Sequence, residues 1–342
     1  MSNYDFLKPR NRKKSLFIVE GDHEKDVLVH LLLKAFQEID IAEEDVVIFH
    51  SNIYSLYDAI EEEYGEAWDE IGVDLVYLMN KQGRYESDFE DVNFNNIVLM
   101  FDYERQDPKF SEEKLCRLQS YFSDSTDEGK LFLNYPMVEA YRDFAGWPDA
   151  SFEYTEVTSK LQTGQEYKSR VMNTMVAKMV DLPDTLESTL ENRYHMSKTE
   201  KRIKCAKELL QLRPEEATVE TLASVLSQFM SEEKVMTAKY QMRSLLESSE
   251  HWKEGCTYYE YMRCLFCEIV KHNICKARSI VGKPYQVDAS VLYDEYFHLS
   301  LLEVLERQNE LSRDKQQGVI KILNTGVFFV ADYRISLIGV GR

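Results

Sequence analysis

Residues 15–24, Ser-Leu-Phe-Ile-Val-Glu-Gly-Asp-His-Glu, decide the fold. Ser15–Val19 is a short apolar run bounded by charge, the mark of a strand buried on both faces in a parallel sheet. Glu20-Gly21-Asp22 breaks it. From His23 to about Phe36, Val27, Leu28, Leu31, Leu32 and Ala35 recur at helical spacing. Strand, glycine-containing turn and helix make a βα unit.

The unit repeats downstream. Residues 45–50 (DVVIFH) read as a second strand, followed by a helix to about Trp68 with Ser51 as its N-cap. Residues 72–81 fit a strand and a helix equally. Asn96–Asp102 (NIVLMFD) is the clearest strand of the chain. Ser111 caps a helix to Phe122, and Leu131–Asn134 is another strand. Pro136 at the first helical position then starts a helix to Phe144. Strands alternating with helices predict an α/β fold with a parallel sheet covered on both faces. Beyond about residue 150 helical patterns dominate: 165–180, 199–212, 218–230, 232–250, 257–278, 288–306 and 312–325, with 326–340 read as a last helix or strand. The expected division is therefore an α/β part over 1–150 and a mostly helical part over 151–342, with the boundary near 148–160.

At 342 residues, 44% hydrophobic, the chain has the material for two packed domains, which excludes a disordered or disulfide-stapled class. No run approaches the ~20 apolar residues of a membrane helix. The first residues lack an apolar stretch after their charges. Six cysteines without such a leader read as reduced thiols, so a cytoplasmic protein with no membrane partner is expected. The net charge is −19, and residues 1–150 hold 15 Lys and Arg against 33 Asp and Glu, whereas the remainder holds 26 against 27. An acidic field of this kind opposes broad nucleic-acid affinity. A nucleic-acid substrate then needs metal ions or local basic patches. The patches available are Lys8–Lys14, Tyr167-Lys168 with Arg170, Lys198–Lys207 and Lys271–Arg278, from which Lys168 and Lys276 are taken as substrate-binding candidates. Residues 58–91 hold 12 acids against Lys81 and Arg84, and read as a solvated, helix-rich surface.

In open parallel sheets, ligands bind outside the carboxyl ends of the strands. Here those ends carry acids: Glu20 with Glu24 a turn later, Asp102 with Glu104, and Asn134 leading to Glu139. Carboxylates gathered on one edge cannot all ionise without a cation, because each raises the pKa of the others. Hard oxygen donors in that number suit Mg²⁺ or Mn²⁺. Cys256, Cys264, Cys267, His272 and Cys275 invite a zinc reading, but one continuous helix over 258–277 puts most of them on a single stripe without the usual ligand turn.

These segments carry a resemblance. Phe17-Ile18-Val19-Glu20-Gly21-Asp22-His23-Glu24 resembles the first motif of Toprim (topoisomerase–primase) domains, and the second Glu four residues on is similar to nucleases of the OLD (overcoming lysogenisation defect) family. Leu99-Met100-Phe101-Asp102-Tyr103-Glu104 resembles the second motif, usually Asp-x-Asp, with Glu in place of the second Asp. Residues 134–139 are similar to a segment of Toprim-related bacterial defence effectors. The resemblance covers roughly residues 15–145. It implies a Mg²⁺-dependent nuclease, cutting DNA or a structured RNA such as tRNA, in antiphage defence. Glu20 would be general acid/base or metal ligand, Asp102 and Glu104 would hold Mg²⁺, and Glu24 and Glu139 would complete a second metal position. Gly21 would let the backbone approach the phosphate. The chain has no Gly-x-x-x-x-Gly-Lys-Ser/Thr, so any ATP control comes from a partner ATPase, and a homo-oligomer is compatible with this reading. The rival class is a non-catalytic acidic protein that binds a basic partner or mimics nucleic acid.

Overall fold

Strand β1, Lys14–Val19, lies between β2, Val46–Ile48, and β3, Phe94–Asp102, and runs parallel to both. The structure is a computed structural model and describes residues 14–22, 24–39, 41, 46–83, 94–148, 156–158, 163–285, 288–314 and 316–339. The basic residues 8–13, His23, Asp45 and most of the 148–160 boundary lie outside these. β3 pairs in parallel with β5, Gly129–Tyr135. The far edge of β5 takes two antiparallel neighbours: β4, Ser123–Asp124, near its start, and β8, Leu323–Asn324, near its end. The result is a mixed, mostly parallel sheet in the order β2-β1-β3-β5-β4, with β8 beside β5. Leu16 to Val19 and Leu99 to Phe101 are fully buried, because helices cover both faces.

The expected α/β alternation is present, with local differences. The first helix opens with a π-helical turn, Glu24–Val29, before α1, His30–Ala35; such turns are rare and concentrate at functional sites. Helix α2, Ile53–Tyr64, is capped by Asn52 and not by Ser51: Asn52 has extended backbone and its side chain accepts from the Ser55 N–H. After the short α3, Trp68–Ile71, residues 72–81 resolve as helix α4, Leu75–Lys81, because Asp74 caps the Tyr77 N–H at 2.8 Å. Helix α5, Glu112–Tyr121, starts at Ser111 as expected. Pro136 does not begin an α-helix. β8 pairs with Asn134 and Tyr135, so the strand stays extended past the proline's approach, and only a 3₁₀ turn, Val138–Arg142, follows.

The second part contains a strand β6, Glu156–Thr158, then α6, Thr163–Val171, α7, Met175–Val180, α8, Leu182–Tyr194, α9, Thr199–Leu210, α10, Val219–Ser227, α11, Glu232–Glu247, α12, Glu250–Lys253, α13, Tyr258–Ile280, α14, Ala289–Phe297, and α15, Leu301–Ser312. The sequence reading missed α8, whose buried Leu182, Leu186 and Leu190 are diluted by polar neighbours. Residues 312–325 are not the expected helix but hold two short strands. β7, Val319–Lys321, pairs antiparallel with β6, and β8 enters the main sheet. Val319, Ile320 and Ile322 are β-branched and favour that outcome. The chain ends in α16, Phe329–Arg334, flanked by 3₁₀ turns. One cluster of buried apolar side chains draws on both parts, from Leu16 to Ile338, with Phe329 edge-on to Phe17. Among the described residues no helix is long and apolar enough to cross a membrane.

Asn324 ties the returning strand to the sheet. Its Nδ2 donates to the Val138 carbonyl at 2.6 Å, its Oδ1 accepts from the Val327 N–H at 3.0 Å, and its own N–H donates to Asn273 Oδ1 at 2.9 Å. Asn324→Ala should therefore lower stability by about 2–4 kcal/mol, since it orphans two buried backbone groups. Equilibrium urea unfolding should show a lower midpoint at unchanged m-value.

Candidate metal-binding carboxylate site

β1 ends at Val19 and β3 at Asp102, so Glu20 and Asp102 leave neighbouring strands at the same edge. The Glu20 N–H donates to the Met100 carbonyl at 3.2 Å, which extends the ladder by one residue. Its carboxylate turns across: Glu20 Oε2 accepts from the Asp102 N–H at 3.1 Å. Glu24 folds back over the turn, and its Oε2 accepts from the Gly21 N–H at 2.9 Å. A Cβ at Gly21 would meet that same oxygen at 3.4 Å, an ordinary contact, so packing alone does not demand glycine there.

Asp102 is the centre of the group. Its Oδ1 is buried and, among the described residues, has no hydrogen-bond partner. Burial first, then Glu20, Glu24, Glu139 and Glu104, hold its carboxyl well above the usual carboxylate range. Glu20 is pushed up to about 8, by burial and then by Glu104, with the Asp102 N–H opposing and Glu24 and Asp107 adding smaller pushes. Glu104 has the left-handed backbone φ of +40° that non-glycine residues rarely adopt. Burial raises its pKa too, against a hydrogen bond from the Asn52 side chain. Asn52 Nδ2 also donates to Asp107 Oδ2 at 2.7 Å.

Glu139 reaches the group from the 3₁₀ turn and is 2% exposed. Its Oε1 lies 2.5 Å from Lys168 Nζ of α6. Lys168 therefore stands at the margin of the acids, paired with one of them. Lys276 does not lie on an open track: it is 4% exposed on α13, and burial pushes its amine down to about 8, with Asp143 opposing. On the same helix Cys264 is exposed, Cys267 half-buried and Cys275 buried.

The fold thus brings Glu20, Glu24, Asp102, Glu104 and Glu139 into one electrostatic neighbourhood, with Gly21 in its turn and Lys168 at its rim. It does not bring them into a finished ligand shell. Among the described residues no three His, Cys, Asp or Glu side chains are close enough to form a metal-holding group. The donor chemistry still fits a hard divalent cation: every candidate ligand is a carboxylate oxygen, and the buried Asp102 Oδ1 is orphaned. To hold an ion, Glu20 and Asp102 would have to give up their protons, since carboxylates bind metal deprotonated. Sequence reasoning missed Asn52 and the importance of Asn134. Asn52 is visible only as an N-cap signal after β2. Asn134 is in register with Asp102; its Oδ1 accepts from the Gly326 N–H at 3.1 Å, and its buried Nδ2 has no partner among the described residues.

Compared with known proteins, the chain matches no family model, no curated protein and no solved structure.

The proton on Glu20 sets a pH dependence. Its folded value of about 8 exceeds its ordinary 4.5, so the folded chain binds that proton more tightly than the unfolded chain does. The group's contribution to stability is complete below about 4.5 and disappears as pH rises through about 8. With divalent ions chelated, Glu20→Gln should be more stable than wild type at pH 9 by roughly 1–3 kcal/mol, a gain that shrinks towards pH 5. Urea unfolding at the two pH values measures the difference.

Proposed function

We propose that the chain is a Mg²⁺- or Mn²⁺-dependent phosphodiesterase of the Toprim type, a nuclease that cuts DNA or a structured RNA such as tRNA and acts as a toxic effector in bacterial antiphage defence. The observation that supports the chemistry is the buried, unpartnered Oδ1 of Asp102, whose carboxyl is raised by Glu20, Glu24, Glu139 and Glu104. Buried polar atoms are usually satisfied by protein, water or an ion, and a divalent cation would satisfy this one. The defence role is drawn from the sequence resemblance alone.

Asp102, Glu104, Glu24 and Glu139 are the residues that would hold divalent ions, with Glu20 beside them. Bound ions of this kind neutralise phosphate charge and stabilise the attacking and leaving oxygens of a phosphodiester. The chain's own groups do the rest. Glu20 stands beside these residues, and bound cations would bring its carboxyl down from the metal-free value of about 8, leaving a carboxylate able to accept a proton from attacking water. The Asp102 N–H holds Glu20 Oε2 and keeps that carboxyl pointed across the strand ends. Lys168 offsets charge at Glu139 and offers an ammonium to a phosphate approaching from the α6 side.

Purified protein with Mg²⁺ or Mn²⁺ should cleave nucleic acid, and expression should be toxic to bacteria. Glu20→Ala and Asp102→Ala should each reduce cleavage by about 10³-fold or more and abolish toxicity while the fold persists. Sequencing of the cut ends identifies the substrate. Undiminished cleavage by either variant overturns this mechanism. A wild-type chain that neither binds Mn²⁺ by calorimetry nor cuts nucleic acid is instead a non-catalytic acidic interaction protein.

A further inference from the structure

The segment after β3 divides its side chains between two destinations. Asp102 and Glu104 join the carboxylates. Tyr103 and Arg105, the residues between and after them, are held by the last turn of α15, some 200 positions later in the chain. Tyr103 Oη donates to Asn309 Oδ1 at 2.7 Å and lies 3.0 Å from Ser312 Oγ. Arg105 Nε donates to the same Ser312 Oγ at 3.1 Å, and its Nη2 to the Ser312 carbonyl at 3.3 Å. The Arg105 guanidinium also sits over the Phe110 ring, 4.1 Å from its centre. Tyr103, Asn309 and Ser312 are all buried.

This clamp brackets the strained residue. Glu104, with φ of +40°, lies between the two anchored neighbours, and the Asp107 N–H closes the turn onto the Glu104 carbonyl at 2.9 Å. A non-glycine residue stays in that conformation only where its surroundings over-determine it. α15 is itself fixed to the returning chain: Gln308 Nε2 donates to the Lys321 carbonyl at 2.7 Å, and its Oε1 accepts from the Lys321 N–H at 3.0 Å.

We infer that Asn309 and Ser312 are positioning residues for the carboxylate site: by holding Tyr103 and Arg105 they fix the backbone from which the Asp102 and Glu104 carboxylates would reach a divalent ion. The inference rests on the metal-dependent reading given above. It makes the end of α15 the part of the helical half that controls metal affinity without touching the metal.

The experiment uses the full-length chain, with Tyr103→Phe, Ser312→Ala and the double variant. Tyr103→Phe keeps the buried ring and removes one oxygen, so it serves where Ser312→Ala proves too disruptive. Mn²⁺ binding is followed by calorimetry, Mn²⁺-dependent cleavage by its concentration dependence, and folding by circular dichroism. Each single variant should weaken Mn²⁺ binding by roughly 10–100-fold, the usual consequence of removing a group that orients a metal ligand. Most of the maximal rate should return at saturating Mn²⁺, and the double variant should be little worse than either single one. Ser249→Ala, which removes a buried serine bonded to Leu246 and His251 instead, should leave Mn²⁺ affinity unchanged. Folded Tyr103→Phe and Ser312→Ala proteins that bind Mn²⁺ as wild type does overturn the inference while leaving the metal reading intact. A wild-type protein that binds no Mn²⁺ overturns both.

Discussion

Like charges that are packed at one sheet edge and stripped of water repel strongly, and the carboxyl edge of this sheet is organised around that conflict. Glu20 and Asp102 keep their protons well above the usual carboxylate range. Glu20 and Glu24 each give an oxygen to a backbone N–H, Glu139 meets Lys168, and Asn52 donates to Asp107. Each device reduces the repulsion locally. None satisfies Asp102 Oδ1. A sheet of Leu, Ile, Val and Phe would be more stable with an apolar residue at that strand end. On the metal-dependent reading, the acids persist because a divalent cation relieves all of them together.

What the sequence disclosed was what local pattern encodes. The apolar runs at 15–19 and 96–102 report strands buried on both faces, and the acids that follow them lie at the carboxyl edge of the sheet. Those signals span a few residues. The failures share a cause, which is contact with distant chain. Residues 312–325 read as helix in isolation and become β7 and β8 because β6 and β5 offer open edges. The helix expected from Pro136 is displaced by that same β8, which keeps Asn134 and Tyr135 extended. Lys276 sits in a basic run that reads as surface, yet α13 is covered along that face and the lysine is buried. Asn52 displaced Ser51 as a cap through backbone conformation, which composition does not report.

The site consequently belongs to the whole chain, although its acids come from the first part. β8 and the turn after it set the end of β5, and the Gly326 N–H fixes which way the Asn134 amide faces. A Cβ at position 326 would lie 3.2 Å from both Asn134 Oδ1 and Met100 Sδ, so a glycine there lets the returning backbone come this close to the strand ends. α6 supplies Lys168 and α15 holds Tyr103 and Arg105. On the metal-dependent reading these are the outer partners that commonly set ligand geometry, and they come from elements that sequence order places far from the acids.

Charge also orders the events at the site. With a net charge of −19 concentrated in its first part, the chain repels a polyanion that comes within a Debye length of about 8–10 Å, beyond which salt screens the field. At that range the local field decides, and without a cation it is set by the carboxyl groups, so a phosphodiester would be turned away by the residues proposed to act on it. Protonation of Glu20 and Asp102 softens this field without reversing it. Divalent ions would offset it further and give a phosphate oxygen a cation to meet, although each proton they displace returns one negative charge to the site. Under the proposed function, ion binding therefore has to precede or accompany substrate binding, and the basic side chains at the rim, Lys168 among them, act on a field that the metal has already weakened.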